Sequence, residues 1–276
     1  EYHVIAALSS TDVPVPKVYT LCEDESVIGT MFYVMDLIEG RIFWDCTIPG
    51  VDRDERRAIF DSVNETLAAL HSVDYEAIGL RDFGRPGNYF ERQVSRWSRQ
   101  YNSSRTEDIP EMDRLIDWLP GALPTDDGKT CIVHGDYSFH NVLIHPTDPV
   151  VVGVIDWELS TIGHPLGDLM YHAMEWYRPP GVDSRGTLRD RDLEELGIPS
   201  LREYIARYCE RTGFCFDDNF AVYRAYNLFR VAAILQGIAG RVQEGTATST
   251  NAEHLNRLIK PLVDAAWSEA KAAGAG

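Results

Sequence analysis

Residues 131–168 read CIVHGDYSFHNVLIHPTDPVVVGVIDWELSTIGHPLGD, and how this stretch is read decides the fold. A short apolar run from Cys131 delivers His134, Gly135 and Asp136; Asn141 follows five residues after that Asp, and a second apolar run ends on Asp156. Short apolar runs bounded by Gly, Pro and Asp are strand signals. Strands are therefore expected at 131–134, 142–144 and 150–155, with the chemistry-bearing side chains just beyond their ends, on loops that a rigid scaffold holds.

Working outward, Val4, Ile5 and Leu8 fall on one helical face, and Pro14 and Pro16 forbid any continuation of that helix. A strand is expected at 17–22. A second, over Met31–Met35, is continuously apolar and is read as fully buried, stopping at Glu39-Gly40. From Asp52, a plausible N-cap, the spacing of Ile59, Val63, Leu67 and Leu70 predicts a helix to His71. Further helices are expected over 91–101, 111–119, 165–176, 200–212, 219–241 and 252–272. The Pro-, Gly- and charge-rich segment 178–192 reads as an exposed loop. The expected class is α+β, with a small strand-containing front end and hinge over 1–40 and a large, mainly helical body over 41–276 that carries the opening stretch.

A chain of 276 residues can bury a large core. With 43 acidic against 26 basic residues the formal net charge is −17, which repels phosphate backbones and anionic lipid. Neither nucleic acid nor a membrane is expected as a partner. Five cysteines without a C-x-x-C pair read as reduced thiols in or near the core of a cytoplasmic protein. No apolar run approaches the roughly 18 residues of a membrane helix, and no secretory signal opens the chain. It opens instead on Glu1, within a helical pattern and without an initiator Met, and reads as a fragment.

Phosphoryl transfer from a nucleotide needs oxygen ligands for Mg²⁺ and a base beside the acceptor hydroxyl. Asp136, Asn141 and Asp156 supply that set. Asn141 stands at the spacing of the protein-kinase loop H-R-D-x-x-x-x-N, and Asp156 ends an apolar strand beside it. A lone His-Gly-Asp arises by chance, and an Asp after a strand is commonly a turn residue. The joint spacing carries the reading.

The motifs HGDYSFHNVLI and GVIDWELSTIGHPLGDLMYH resemble the aminoglycoside phosphotransferase-like family, a two-lobed relative of the protein kinases. VPVPKVYTLCEDESVIGTMFYVMDLIEGR with IDWELSTIG is most similar to kinase-like domains that stand alone in bacteria or are fused to acyl-CoA dehydrogenases. The resemblance implies a protein-kinase-like fold with a truncated N-lobe, and ATP and Mg²⁺ as cofactors. It makes Asp136 the catalytic base and Asn141 and Asp156 the metal ligands. The backbone of Met35, Asp36 and Leu37 would meet the adenine, and Glu1 aligns with the helix Glu that pairs with the phosphate-binding Lys. His134 is implied to be structural and Asp168 a cap or loop anchor, while Glu158 is left between the metal shell and a surface salt bridge.

The implied activity is an ATP-dependent kinase for a small-molecule hydroxyl acceptor, a hydroxyacyl-CoA or related hydroxy acid, with a fusion or functional link to an acyl-CoA dehydrogenase. The alternatives are an aminoglycoside O-phosphotransferase and a nucleotide-binding pseudokinase or interaction module. The latter is disfavoured because Asp136, Asn141 and Asp156 are all present. A metal-dependent hydrolase is a further rival, but the remaining histidines offer no paired ligand set.

Departures from the kinase pattern count as well. Gly135 replaces the loop Arg and no Ala-Pro-Glu follows Asp156, which points away from activation-loop control and from a protein substrate. His164 stands where relatives commonly carry Asp. No Gly-rich loop or strand Lys precedes Glu1, and Lys17 follows the helix and cannot replace that Lys, so weak ATP binding is expected of this chain alone.

Overall fold

The computed structural model describes every residue except 125–126, 183–184, 218, 244 and 246–251, with backbone alone at 243 and 252–256. Its contacts group the chain into two compact units. The first comprises Glu1–Pro86, Lys129–His172 and Asp192–Cys215.

This unit opens with α1 (Tyr2–Leu8), which buries Val4, Ile5 and Leu8 as the spacing predicts. Strand β1 (Val18–Cys22) pairs antiparallel with β2 (Phe32–Met35), Val18 opposite Met35 and Cys22 opposite Phe32. The expectation that 31–35 is fully buried is wrong: Met31, Val34 and Met35 are 58%, 43% and 41% exposed. An apolar strand is buried on both faces only when layers cover both. This hairpin is a two-stranded sheet.

Helix α2 (Arg53–His71) begins where the sequence places it, the Asp52 carboxylate accepting from the Glu55 amide, and it buries Ile59, Phe60, Val63, Leu67 and Leu70. Strand β3 (Cys131–Val133) leads to a 3₁₀ turn (Phe139–Asn141) and to β4 (Val142–Ile144), which pairs antiparallel with β5 (Val151–Val154). The partner of β3 is β6 (Thr161–Gly163), a strand the sequence analysis did not foresee. The helix expected over 165–176 is α5 (Leu166–His172) followed by a 3₁₀ turn (Ala173–Trp176). The short α6 (Leu193–Leu196) precedes α7 (Leu201–Thr212), whose start is fixed by a capping box between Ser200 and Glu203.

The second unit comprises Gly87–Gly128, Ala173–Arg191 and Phe216–Gly276. It holds α3 (Tyr89–Ser103), α4 (Pro110–Ala122), α8 (Ala221–Gln243) and α9 (Ala252–Ala272). A Cβ on Gly237 of α8 would lie 2.6 Å from Gln100 Nε2 of α3, so the missing side chain allows that close approach. Segment 178–192 is not simply an exposed loop: Arg178, Val182, Thr187 and Leu188 are buried. The Thr187 hydroxyl lies within hydrogen-bonding distance of the carbonyls of Glu175 and Arg178, and Leu188 N donates to Glu175 O, so these groups are satisfied internally.

The cysteines divide as well. Cys46 and Cys131 are buried, Cys22 and Cys209 half-buried and Cys215 exposed, which corrects the expectation that all five lie in or near the core; all are free thiols. Among the described residues no helix is long and apolar enough to cross a membrane.

Candidate active site

Strand β3 ends at the His-Gly-Asp loop, and the loop is held from beneath by one buried side chain. Asp168, in the first turn of α5, is fully buried; its Oδ2 accepts from His134 N at 2.5 Å and its Oδ1 from Gly135 N at 2.8 Å. Burial pushes this carboxyl up. The hydrogen bond from His71, the charges of His71 and His134 and the Gly135 amide outweigh it, and the net displacement is downward. His71 Nε2 lies 3.2 Å from Asp168 Oδ2, and the other ring nitrogen is 2.5 Å from the Tyr208 hydroxyl. Burial raises the Tyr208 phenol far above its ordinary value, so it remains an O–H and donates to His71 Nδ1, leaving Nε2–H for Asp168.

Gly135 has φ +88°, and a Cβ there would lie 2.5 Å from Leu159 O. Left-handed backbone and close approach together exclude a side chain. This is why no Arg stands in the loop.

His134 is fully buried beneath the loop. Its Nδ1 accepts from Asp136 N at 3.1 Å, so Nε2 carries the proton and donates to Ile155 O at 2.9 Å. Burial, only partly opposed by Asp168 and the Ile155 carbonyl, pulls its pKa down and favours neutral imidazole. Both ring nitrogens are engaged, and the ring packs 4.7 Å from that of Trp157.

Asn141 ends the 3₁₀ turn with its amide directed at Asp136: Nδ2 donates to Asp136 O at 2.9 Å and to Asp136 Oδ2 at 3.2 Å. Its Oδ1 is consequently turned the other way. Asp156, two residues past β5, takes φ +66°, a region sparsely populated by residues other than glycine. Its carboxyl is pushed above the usual range first by desolvation and then by the negative charge of Asp136 and Glu1. Glu1 completes the corner, its Oε1 accepting from Trp157 N at 3.0 Å and its Oε2 from the Tyr33 hydroxyl at 3.4 Å. Tyr33 lies on β2, so the front hairpin is tied to the Asp156 turn.

The Asp156 carboxylate and the side-chain amide of Asn141 are oxygen donors of the kind a hard divalent cation takes, and such a cation would relieve the repulsion that Asp136 and Glu1 exert on Asp156. Among the described residues no group of three or more His, Cys, Asp and Glu side chains forms a metal cage. The donor set is the smaller one of a cation that keeps most of its waters. Asp136, Asn141, Asp156 and Glu1 are thus brought together. Met35, Asp36 and Leu37 are not: they lie at and just beyond the end of β2, exposed, with no hydrogen bond to that corner among the described residues. The Asp36 amide is already given to Lys17 O at 2.8 Å, and its carboxylate accepts from Tyr19 at 2.5 Å.

Glu158 is exposed and makes no ion pair among the described residues. The ring of His164 accepts from Leu166 N at 3.2 Å, the N-terminal capping that an Asp would otherwise supply to α5. Sequence reasoning missed His71, Tyr208, Trp44 and His140. The indole of Trp44 stacks on His140 at 5.2 Å with 9° between planes, and His140 Nε2 is 3.8 Å from Asp136 Oδ2. A His beside the catalytic-loop Asn was visible in the sequence, but nothing local pairs it with a Trp so far away.

The order of these strands, turns and helices is that of the kinase-like phosphotransferases. Comparison with known proteins makes the assignment: the chain belongs to the phosphotransferase enzyme family, whose sequence profile matches residues 1–204. The crystal structure of a "putative aminoglycoside phosphotransferase" from Ralstonia eutropha JMP134 is 50% identical and superposes with a TM-score of 0.92, covering 98% of this chain and 82% of that one. Acyl-CoA dehydrogenase family member 10 of Mus musculus is 42% identical over 274 residues, 99% of this chain and 26% of the relative, so the chain spans about a quarter of that protein. A thermostable mutant of an aminoglycoside phosphotransferase in ternary complex with ADP and hygromycin B shares the fold alone, at 16% identity and a TM-score of 0.62, over 99% of this chain and 82% of that one.

Proposed function

We propose that this site transfers the γ-phosphoryl group of ATP to a hydroxyl of a small molecule, with Asp136 as the base. The observation that carries the proposal is the Asn141 amide, which donates to Asp136 Oδ2 at 3.2 Å from a residue whose backbone carbonyl accepts from Ile155 N at 3.0 Å, next to Asp156 in the chain. Asp136 receives the acceptor's proton. Asn141 fixes the orientation of that carboxylate and, with Asp156, would hold Mg²⁺, which when bound would supply positive charge for the phosphoryl oxygens. The backbone at the end of β2, at Met35 and Leu37, offers the surface for the adenine, and Glu1 holds the Asp156 turn through Trp157 N. Residues 1–40 then correspond to the kinase N-lobe and hinge and 41–276 to the helical lobe.

The acceptor we favour is a hydroxyacyl-CoA or related hydroxy acid. The support is 42% identity over nearly the whole chain to a protein named as an acyl-CoA dehydrogenase family member. An aminoglycoside is the second reading, favoured by the 50% identical neighbour and by a net charge of −17 that suits a polycation.

Transfer from labelled ATP to a panel of hydroxyacyl-CoAs and aminoglycosides tests both. Asp136→Asn should keep nucleotide affinity and lower turnover by about 10²–10⁴-fold, as for loss of a general base. Asn141→Ala should weaken Mg²⁺-nucleotide binding as well as rate. Normal turnover by Asp136→Asn would leave the kinase likeness as fold without mechanism.

A further inference from the structure

We propose that Trp44, with Ile42, forms the apolar wall on which the acyl chain of the acceptor packs, which makes Trp44 a specificity-determining residue. The proposal rests on the reading of the acceptor as a hydroxyacyl-CoA.

The wall is placed by backbone pairing. Arg41 N donates to Ile144 O at 2.6 Å and Ile144 N to Arg41 O at 2.9 Å, an antiparallel bridge to the end of β4. Beyond this isolated antiparallel bridge the segment reaches the turn before β4, where the Trp44 ring meets that of His140. The bridge is rigidly held, since Arg41 also donates to His145 O at 3.0 Å and pairs with Glu55 at 2.7 Å. A Cβ on Gly40 would sit 3.0 Å from Ile144 O, so the chain enters the bridge in close contact with β4.

Side chains alternate along the extended segment: Arg41 and Phe43 are half-buried, Ile42 and Trp44 exposed. One ring face of Trp44 is covered by His140, yet the residue is 63% exposed, and Ile42 is 43% exposed. The other indole face therefore meets solvent one imidazole away from Asp136. Ligand sites are lined largely by apolar and aromatic side chains with a few polar groups placed among them, and Trp44 beside Asp136 has that composition. The neighbouring carboxylate, Asp45, is turned onto its own chain, accepting from Thr47 N and Thr47 Oγ1 at 2.8 Å each. The side chains of the wall, an indole and a branched alkyl group, carry no charge of their own. The wall suits a hydrocarbon chain whose hydroxyl lies at Asp136.

The test uses the whole chain. Tryptophan emission of the wild type and of Trp44→Phe is followed while 3-hydroxyoctanoyl-CoA, 3-hydroxybutyryl-CoA or ADP with Mg²⁺ is added. A blue shift that saturates with the octanoyl ester, at a concentration about tenfold below that for the butyryl ester, is expected in the wild type alone. A response to ADP in place of the acyl esters, or the same response in Trp44→Phe, overturns the proposal. In steady state, Trp44→Ala should raise KM for the octanoyl acceptor about tenfold without moving KM for ATP, and Trp44→Phe should recover most of the loss. An unchanged acceptor KM also overturns it. Should the wild type phosphorylate hygromycin B and neither ester, the acceptor reading fails, and the emission measurement alone then decides whether Trp44 binds an acyl chain.

Discussion

Asp156 shows how much strain one residue can hold in this site. A left-handed backbone costs a residue other than glycine roughly 1–2 kcal/mol, and here φ is +66°. The same carboxyl is held above its usual range by desolvation, Asp136 and Glu1. A folded-state pKa above the unfolded value means that ionising the group costs stability as pH rises through that range. Asp156→Gly removes both the strain and the charge. It should stabilise the protein against urea by about 1 kcal/mol at neutral pH, with the gain shrinking in acid, while Mg²⁺-dependent transfer is lost. A urea series at several pH values reads this, and a destabilised Gly variant would show that the turn is not strained. His134, beside it, is the opposite case: both ring nitrogens are committed to backbone groups, and burial lowers its pKa.

At the scale of elements, α5 and β3 are joined through Asp168. Removing its side chain leaves two buried amides, His134 N and Gly135 N, without acceptors. Each such group costs about 1–3 kcal/mol, so Asp168→Ala should lose about 3 kcal/mol or more in urea unfolding. The Asp168 carboxyl is depressed in the folded state, so its ionisation stabilises the fold above the ordinary carboxylate range, and that contribution is lost as pH falls through the depressed value. The stability difference between wild type and Asp168→Asn should therefore narrow in acid; a constant difference would mean that charge is not what anchors the loop. Gly135→Ala tests the same junction from above. With Leu159 O 2.5 Å from the new Cβ and φ at +88°, the loop must shift, and turnover should fall far more than nucleotide affinity in paired kinetic and binding measurements.

Across the whole molecule the net charge of −17 acts on everything at once. Like charges repel in the compact state more than in the unfolded chain. Screening shortens from about 30 Å at 0.01 M to about 8 Å at 0.15 M ionic strength, so Tm should rise over that interval in sodium chloride. A Tm that falls instead would show that the surface ion pairs, such as Arg207 with Asp61 at 2.5 Å, outweigh the general repulsion.

What the chain determines by itself is whatever depends on near neighbours. Helical spacing placed α2 from its Asp52 cap to His71 and α9 over Ala252–Ala272, because apolar periodicity and capping are local. The places of Asp136, Asn141 and Asp156 were likewise readable, since one loop and one strand end carry all three. Tertiary structure alone decided the rest. Glu1 reaches Trp157 across 156 positions, His71 meets Tyr208 across 137, and Asp168 turns back 34 residues to hold the loop. The exposure of β2 and the stacking of Trp44 on His140 belong to the same group. An apolar run does not state how many layers will cover it, and no local rule names a partner that arrives from another part of the chain. Such contacts exist only once the chain has closed, because burial is what makes an Asp168 carboxylate seek amides, and chain closure is what brings an indole onto His140 beside Asp136.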